Sequence, residues 1–116
     1  MPDDPLNLLQ GTLDILVLKA LSYEARHGYE VARWIRKTTD QVLQIDDGAL
    51  YTSLHRMEKR GWLESSWGLS ENNRRAKFYA VTAAGEKQLQ KGSRIWSRYA
   101  EAVSKVLTAP EGEAAT

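Results

Sequence analysis

Two rows of side chains share one short stretch, GALYTSLHRMEKRGWL at residues 48–63. Leu50, Leu54 and Met57 are apolar, whereas Thr52, His55, Arg56 and Lys59 donate hydrogen bonds or carry positive charge. At about 100° per residue the apolar three fall within about 40° of Leu50, and Gly48 joins the polar four on the opposite side. A donor-rich face free of carboxylates is what a helix needs to enter a major groove, where base acceptors lie between walls of phosphate. Glu58 is kept to the flank. Gly48 allows the start of the helix to approach a backbone closely, and the positive end of the helix dipole favours phosphate. A face of Lys, Arg and Thr also suits plain solvation, so this helix is ambiguous by itself. Arg74, Arg75 and Lys77, following the turn-rich GLSENNRR (68–75), supply a second basic element able to reach phosphates or a minor groove. The two together are far more specific than either.

No other chemistry assembles in the chain. His27 and His55 are its only histidines, on separate helices, with no cysteine and no carboxylate at ligand spacing. Capping or groove-facing roles suit them better than metal ligation. No nucleophile with a base, glycine-rich phosphate loop or catalytic carboxylate pair is recognisable, and Asp46-Asp47 reads as helix-cap chemistry. The expectation is therefore no catalytic residue, no metal, no cofactor and no enzyme.

The elements that position these residues follow from periodicity. GTLDILVLKAL (11–21) is predicted helical, with Thr12 as cap. Leu9, Leu13, Leu16, Val17 and Ala20 form one apolar face; Leu8, Ile15 and Leu18 form a second, so both sides should be buried. HGYEVARWIRKTT (27–39) predicts a second helix with Tyr29, Val31, Ala32, Trp34 and Ile35 as its apolar set. A third helix from about Asp47 to Arg60 is capped by Asp46 and ended by Gly61. The period then changes to alternation in WLESSW (62–67) and AKFYAVT (76–82), a β-hairpin with a long loop. Tyr29, Trp34, Trp62, Trp67 and Tyr79 read as core and wing-packing aromatics. Thr82 opens a last helix over about 83–107, roughly 37 Å long. The order is that of a mostly α winged helix-turn-helix with a small β-hairpin wing and a long C-terminal helix. Its expected organisation is a flexible arm at 1–7, a DNA-binding domain at 8–82, a dimerisation helix at 83–108 and a disordered tail at 109–116.

With 116 residues, 42% apolar and 27% charged, the chain is one ordinary globular domain with a modest core. A formal net charge of +1 names no partner in bulk, so any basic surface is local. The lack of cysteine fits a reducing compartment. The acidic start MPDDPLNLLQ is unlike a secretory signal, and the longest apolar run is too short to span a bilayer. A cytoplasmic, nucleoid-associated protein without a membrane partner is expected.

The last helix carries Leu89, Trp96, Tyr99, Ala100, Val103 and Leu107 along one side, flanked by Ile95 and Val106, with charges opposite. Positions 89, 96 and 103 keep heptad spacing, so the seam is suited to another helix. Folding back onto its own domain is one outcome. The other pairs it with Leu8, Ile15 and Leu18 on the first helix of a second copy, giving a homodimer with Leu8, Ile15, Leu18, Leu89, Trp96, Tyr99, Val103, Val106 and Leu107 in the interface.

GYEVA, GALYTSLHRMEKRGWL, SSW, RRAKFYAVTAAG and the late Trp96 together resemble the PadR family of bacterial transcriptional regulators, over about residues 8–107. The resemblance is to the short branch with a single C-terminal helix. It implies a homodimeric repressor on a pseudo-palindromic, double-stranded operator. It further implies Tyr51 as a backbone or groove contact, and Arg74, Arg75 and Lys77 as phosphate contacts. Some members bind flat aromatic compounds between the C-terminal helices, which implies an effector pocket at Trp96 and Tyr99. Met57 stands where the motif usually has Leu, a volume-conserving change. Phe78 replaces the first of a common Tyr pair, so any hydroxyl role is lost there. The competing readings are a MarR-like regulator and a winged-helix protein-interaction module that binds no nucleic acid.

Overall fold

A computed structural model describes residues 6–7 and 11–112. The order is β1 (Leu6–Asn7), α1 (Leu13–Tyr23), β2 (Arg26–His27), α2 (Gly28–Thr38), β3 (Leu43–Gln44), α3 (Asp47–Lys59), β4 (Leu63–Leu69), β5 (Arg75–Val81) and α4 (Ala83–Leu107). The mostly α winged helix-turn-helix is therefore the fold. Helix α1 packs against α2, α3, β5 and α4, which explains its apolar character all round. Val17, Leu18, Ala20 and Leu21 bury there with Val31, Ala32 and Ile35 of α2, Leu50, Leu54 and Met57 of α3, and Leu63 and Tyr79 of the hairpin.

Local signals set most boundaries. Asp46 caps α3 by accepting from the Ala49 amide at 2.9 Å, satisfying one orphan donor of the first turn. Gly61, at φ +79°, takes the left-handed conformation that stops it. Thr82 caps α4, accepting from the Gly85 amide at 3.1 Å while its own hydroxyl donates to the Gly61 carbonyl at 2.6 Å. Thr12 occupies the cap position of α1 but makes no side-chain cap bond.

Several expectations need correction. The hairpin loop is short: β4 reaches Leu69, β5 begins at Arg75, and the Ser70 amide donates to the Arg74 carbonyl at 2.8 Å across the turn. Asn73, at φ 58°, provides the left-handed residue that so tight a turn requires. The wing is also three-stranded. Arg26 and His27 pair antiparallel with Tyr79 and Phe78, giving the order β2-β5-β4. Within the arm expected at 1–7, Leu6 and Asn7 form a strand parallel to Leu43 and Gln44. Tyr29 is exposed, not part of the apolar set of α2, and Trp67 is 61% exposed.

The largest correction concerns α1 and α4 of one chain, which pack together. A Cβ on Gly92 would lie 3.1 Å from Ile15, so the small residue permits the approach. Leu18 and Leu89 are buried within the chain, 1% and 8% exposed, and so are core rather than free interface. The face of α1 expected to await a second copy is thus largely taken by the chain's own α4. Leu8 and Leu9 lie outside the described residues. Beyond Gly92 the situation reverses, with Ile95, Trp96, Tyr99, Val103, Val106 and Leu107 all exposed. The radius of gyration of 17.0 Å exceeds the roughly 13 Å of a compact chain this long, because the end of α4 stands clear of the domain.

Candidate nucleic-acid interface

On α3 the sequence rows separate as expected. Leu50, Leu54 and Met57 are buried, while Gly48, Tyr51, Thr52, His55 and Lys59 are exposed on the helix. Tyr51 leans over the start of α2, where a Cβ on Gly28 would meet its ring at 2.8 Å. The glycine lets the ring lie against the helix and leaves it 44% exposed. The ring and its hydroxyl are thus braced against the start of α2.

Arg56 is placed differently from its neighbours. Its guanidinium is paired with the Asp14 carboxylate of α1, whose other oxygen accepts from the buried Ser53 hydroxyl at 2.6 Å. Arg56 therefore helps lock α3 to α1 and is less free for an external anion than the sequence suggests. No local pattern could have revealed this, since the partners lie about forty residues apart.

Lys77 is likewise engaged. Its ammonium lies 3.2 Å from Glu58 of α3, and that carboxylate also accepts from Ser65 of β4. Ser65, with Lys77 behind it, holds the Glu58 carboxyl below its ordinary value, and the Glu58 partner raises Lys77 in turn. Burial pushes the neighbouring Tyr79 hydroxyl up. Glu58 thus joins α3 to both strands of the wing, and Lys77 is a fastening within the domain. Arg74 is exposed at the wing tip; Arg75 lies over the Trp67 ring, 4.5 Å from its centroid. His27 sits 3.3 Å from Glu30 and edge-on to Phe78, without a side-chain cap bond. Among the described residues, no group of three or more His, Cys, Asp or Glu is arranged to hold a metal ion.

The elements and their spacing match the family model for the "Transcriptional regulator PadR-like family" over residues 17–91. The chain belongs to the PadR-like family of transcriptional regulators. That match runs from within α1 to within α4, and so includes both α3 and the wing. Solved structures agree with the PadR-like assignment. A transcriptional regulator from Clostridium thermocellum is 29% identical with a TM-score of 0.75, covering 83% of this chain and 90% of that one. A PadR-like transcriptional regulator from Bacillus cereus is 26% identical with a TM-score of 0.74, covering 88% and 97%. An uncharacterized protein from Lysinibacillus sphaericus is 27% identical over 97 residues, 84% of this chain and 89% of its own length. No described helix is long and apolar enough to cross a membrane.

Proposed function

We propose that this PadR-like regulator is a homodimeric repressor that binds a pseudo-palindromic DNA operator, with α3 of each protomer in a major groove. The observation that carries the proposal is the exposed row Tyr51, Thr52, His55 and Lys59 beside a wing bearing Arg74 and Arg75. Gly48 opens the row at the positive end of the helix dipole. Thr52 and His55 are suited to base edges, while Lys59, Arg74 and Arg75 are suited to the backbone and to anchoring. Lys77 and Arg56 contribute chiefly by holding the wing and the reading helix in place.

The second copy is supported by the exposed stripe from Ile95 to Leu107, which an isolated chain would leave in water. Trp96, Tyr99, Val103, Val106 and Leu107 are the interface residues that remain, with half-buried Ile15 at its edge. A cavity of about 560 Å³ between α1 and α4, walled by Ile15, Trp62, Trp96 and Tyr99, suits a flat aromatic effector. Such a ligand acts only by favouring one spacing of the two reading helices over another.

Footprinting on genomic fragments enriched by the purified protein tests the assignment. Two protected half-sites with centres about 34–36 Å apart are expected. A single half-site, or binding by a monomer, counts against it. Saturable quenching of indole fluorescence by a planar aromatic dye, lost in Trp96→Phe, tests the effector site separately.

A further inference from the structure

Apolar packing holds α3 in place but does not by itself orient it, because the burial of Leu50, Leu54 and Met57 is non-directional. Rotation of the helix about its own axis is set by directional bonds, and two of these come from one carboxylate. Asp14 stands in the first turn of α1. One of its oxygens accepts from the Ser53 hydroxyl at 2.6 Å, and the other takes the Arg56 guanidinium. Ser53 and Arg56 are three residues apart, hence about 60° apart around α3. Two anchors at different angles on one carboxylate fix the roll of a helix, where a single anchor leaves it free to turn. Ser53 is 2% exposed, so its hydroxyl depends on this bond rather than on water.

The same carboxylate decides what Arg56 presents to the outside. Arg56 follows Thr52 by four residues and so lies about 40° from it, at the edge of the exposed row. Its side chain keeps 39% of its surface accessible, and Asp14, Thr52, Ser53 and Arg56 wall one cleft between α1 and α3. Lys59, by contrast, has no ion-pair partner among the described residues. A bare arginine at this edge would meet phosphate on any sequence, and phosphate contacts add affinity without discrimination. Paired with Asp14, it is a positive side chain whose charge is already met. An apolar contact of similar volume would join α1 to α3 as firmly, so stability alone does not explain a charged pair here. A guanidinium supplies what an apolar contact lacks, a planar donor with a defined direction.

We propose that Asp14, which lies on α1 and outside the row facing DNA, is a specificity-determining residue. It sets the roll of α3 through Ser53 and Arg56, so that Thr52 and His55 meet base edges, and it withholds Arg56 from the phosphate backbone. This role rests on the DNA-binding function proposed above. It gives the loss of one carboxylate a direction opposite to that of a damaged binding site: random DNA is held more tightly, and operator DNA less selectively.

The test titrates the full chain with a genomic fragment that it enriches and with a random duplex of equal length, over a series of salt concentrations. Asp14→Asn keeps an oxygen for Ser53 and removes the charge. Its affinity for the random duplex should rise, and its salt slope should steepen by about one unit per protomer as Arg56 gains a phosphate. Its preference for the fragment should fall by about tenfold, the worth of one misread base pair. Arg56→Gln should also lower the preference, yet leave the salt slope at the wild-type value because that charge is already met. In the double variant of Asp14→Asn with Arg56→Gln, the slope should return to wild type. Wild-type slope and preference in Asp14→Asn overturn the assignment. So does an equal loss of affinity for both duplexes, the mark of a merely structural residue. A flatter slope in Arg56→Gln overturns it independently, even where Asp14→Asn does not fold, because Arg56 would then already be on phosphate. Failure of wild type to bind either duplex overturns the function on which the role rests.

Discussion

Helices α3 and α4 begin alike and end differently. Each is opened by a side-chain cap, Asp46 for one and Thr82 for the other, and each is amphipathic. The apolar row of α3 is entirely covered within the chain, with Leu50, Leu54 and Met57 at 1% exposure or less. That of α4 is covered only as far as Leu89, after which Ile95 to Leu107 stand bare. The uncovered face of α3 is polar and remains soluble without a partner. The uncovered face of α4 is apolar, and each side chain left in water is a standing drive for association. One helix is finished structurally and open chemically; the other is the reverse.

Breaking α4 should give the largest effect. Val103→Asp combined with Val106→Asp removes four aliphatic side chains from the proposed dimer, at about 1.5 kcal/mol or more each. Sedimentation should find a monomer, while circular dichroism finds the winged helix still folded. A variant that stays dimeric would place the interface elsewhere.

Leu54→Ala tests the claim that α3 is finished internally. A cavity under a residue at 0% exposure should lower stability by about 2–5 kcal/mol, measured by denaturant unfolding. A loss below about 0.5 kcal/mol would mean that the row is not the anchor of the helix.

Asp46→Ala sharpens the comparison at the helix start. Loss of the bond to the Ala49 amide should cost about 1 kcal/mol, and hydrogen exchange should quicken in the first turn of α3 without change in α4.

The smallest expected effect is in the Glu58 fastening. Its folded carboxyl is depressed below 4.5 because Ser65 and Lys77 favour the ionised form. The stabilisation is therefore present above pH 4.5 and fades as pH falls through the lowered folded value. The stability difference between wild type and Glu58→Gln should shrink over that acid window. Lys77 behaves in the opposite sense, its contribution being present below 10.5 and lost as pH rises through the raised folded value. A difference that grows on acidification would show that Glu58 is not held ionised by these partners.

The parts of the candidate interface that were legible in the sequence are those carried by local rules. The rows of α3, the Asp46 cap and the Gly61 stop can be read over a few turns because 3.6-residue periodicity and capping chemistry act at short range. The hairpin was legible as alternation, but its loop was read too long, since Gly68, Leu69 and Arg75 fall within a turn-rich run and only pairing decides where a ladder ends. Arg56 and Lys77 illustrate the limit better. Both have the composition of free cations, and each is tied to a carboxylate from another element. Trp67 errs in the other direction: an indole is a reasonable core residue by type, and only the distance from the core along β4 leaves it outside.

The sequence by itself determined the element order, the buried row of α3, the basic wing and the family, because each is written in neighbouring residues and their spacing. Tertiary structure alone decided which charges are free, which face of α1 the chain's own α4 covers, and where the exposed apolar stripe begins. Those outcomes depend on packing between segments dozens of residues apart. Asp14 meets Arg56, and Ile15 meets Gly92, only after α1 has become the centre of the fold.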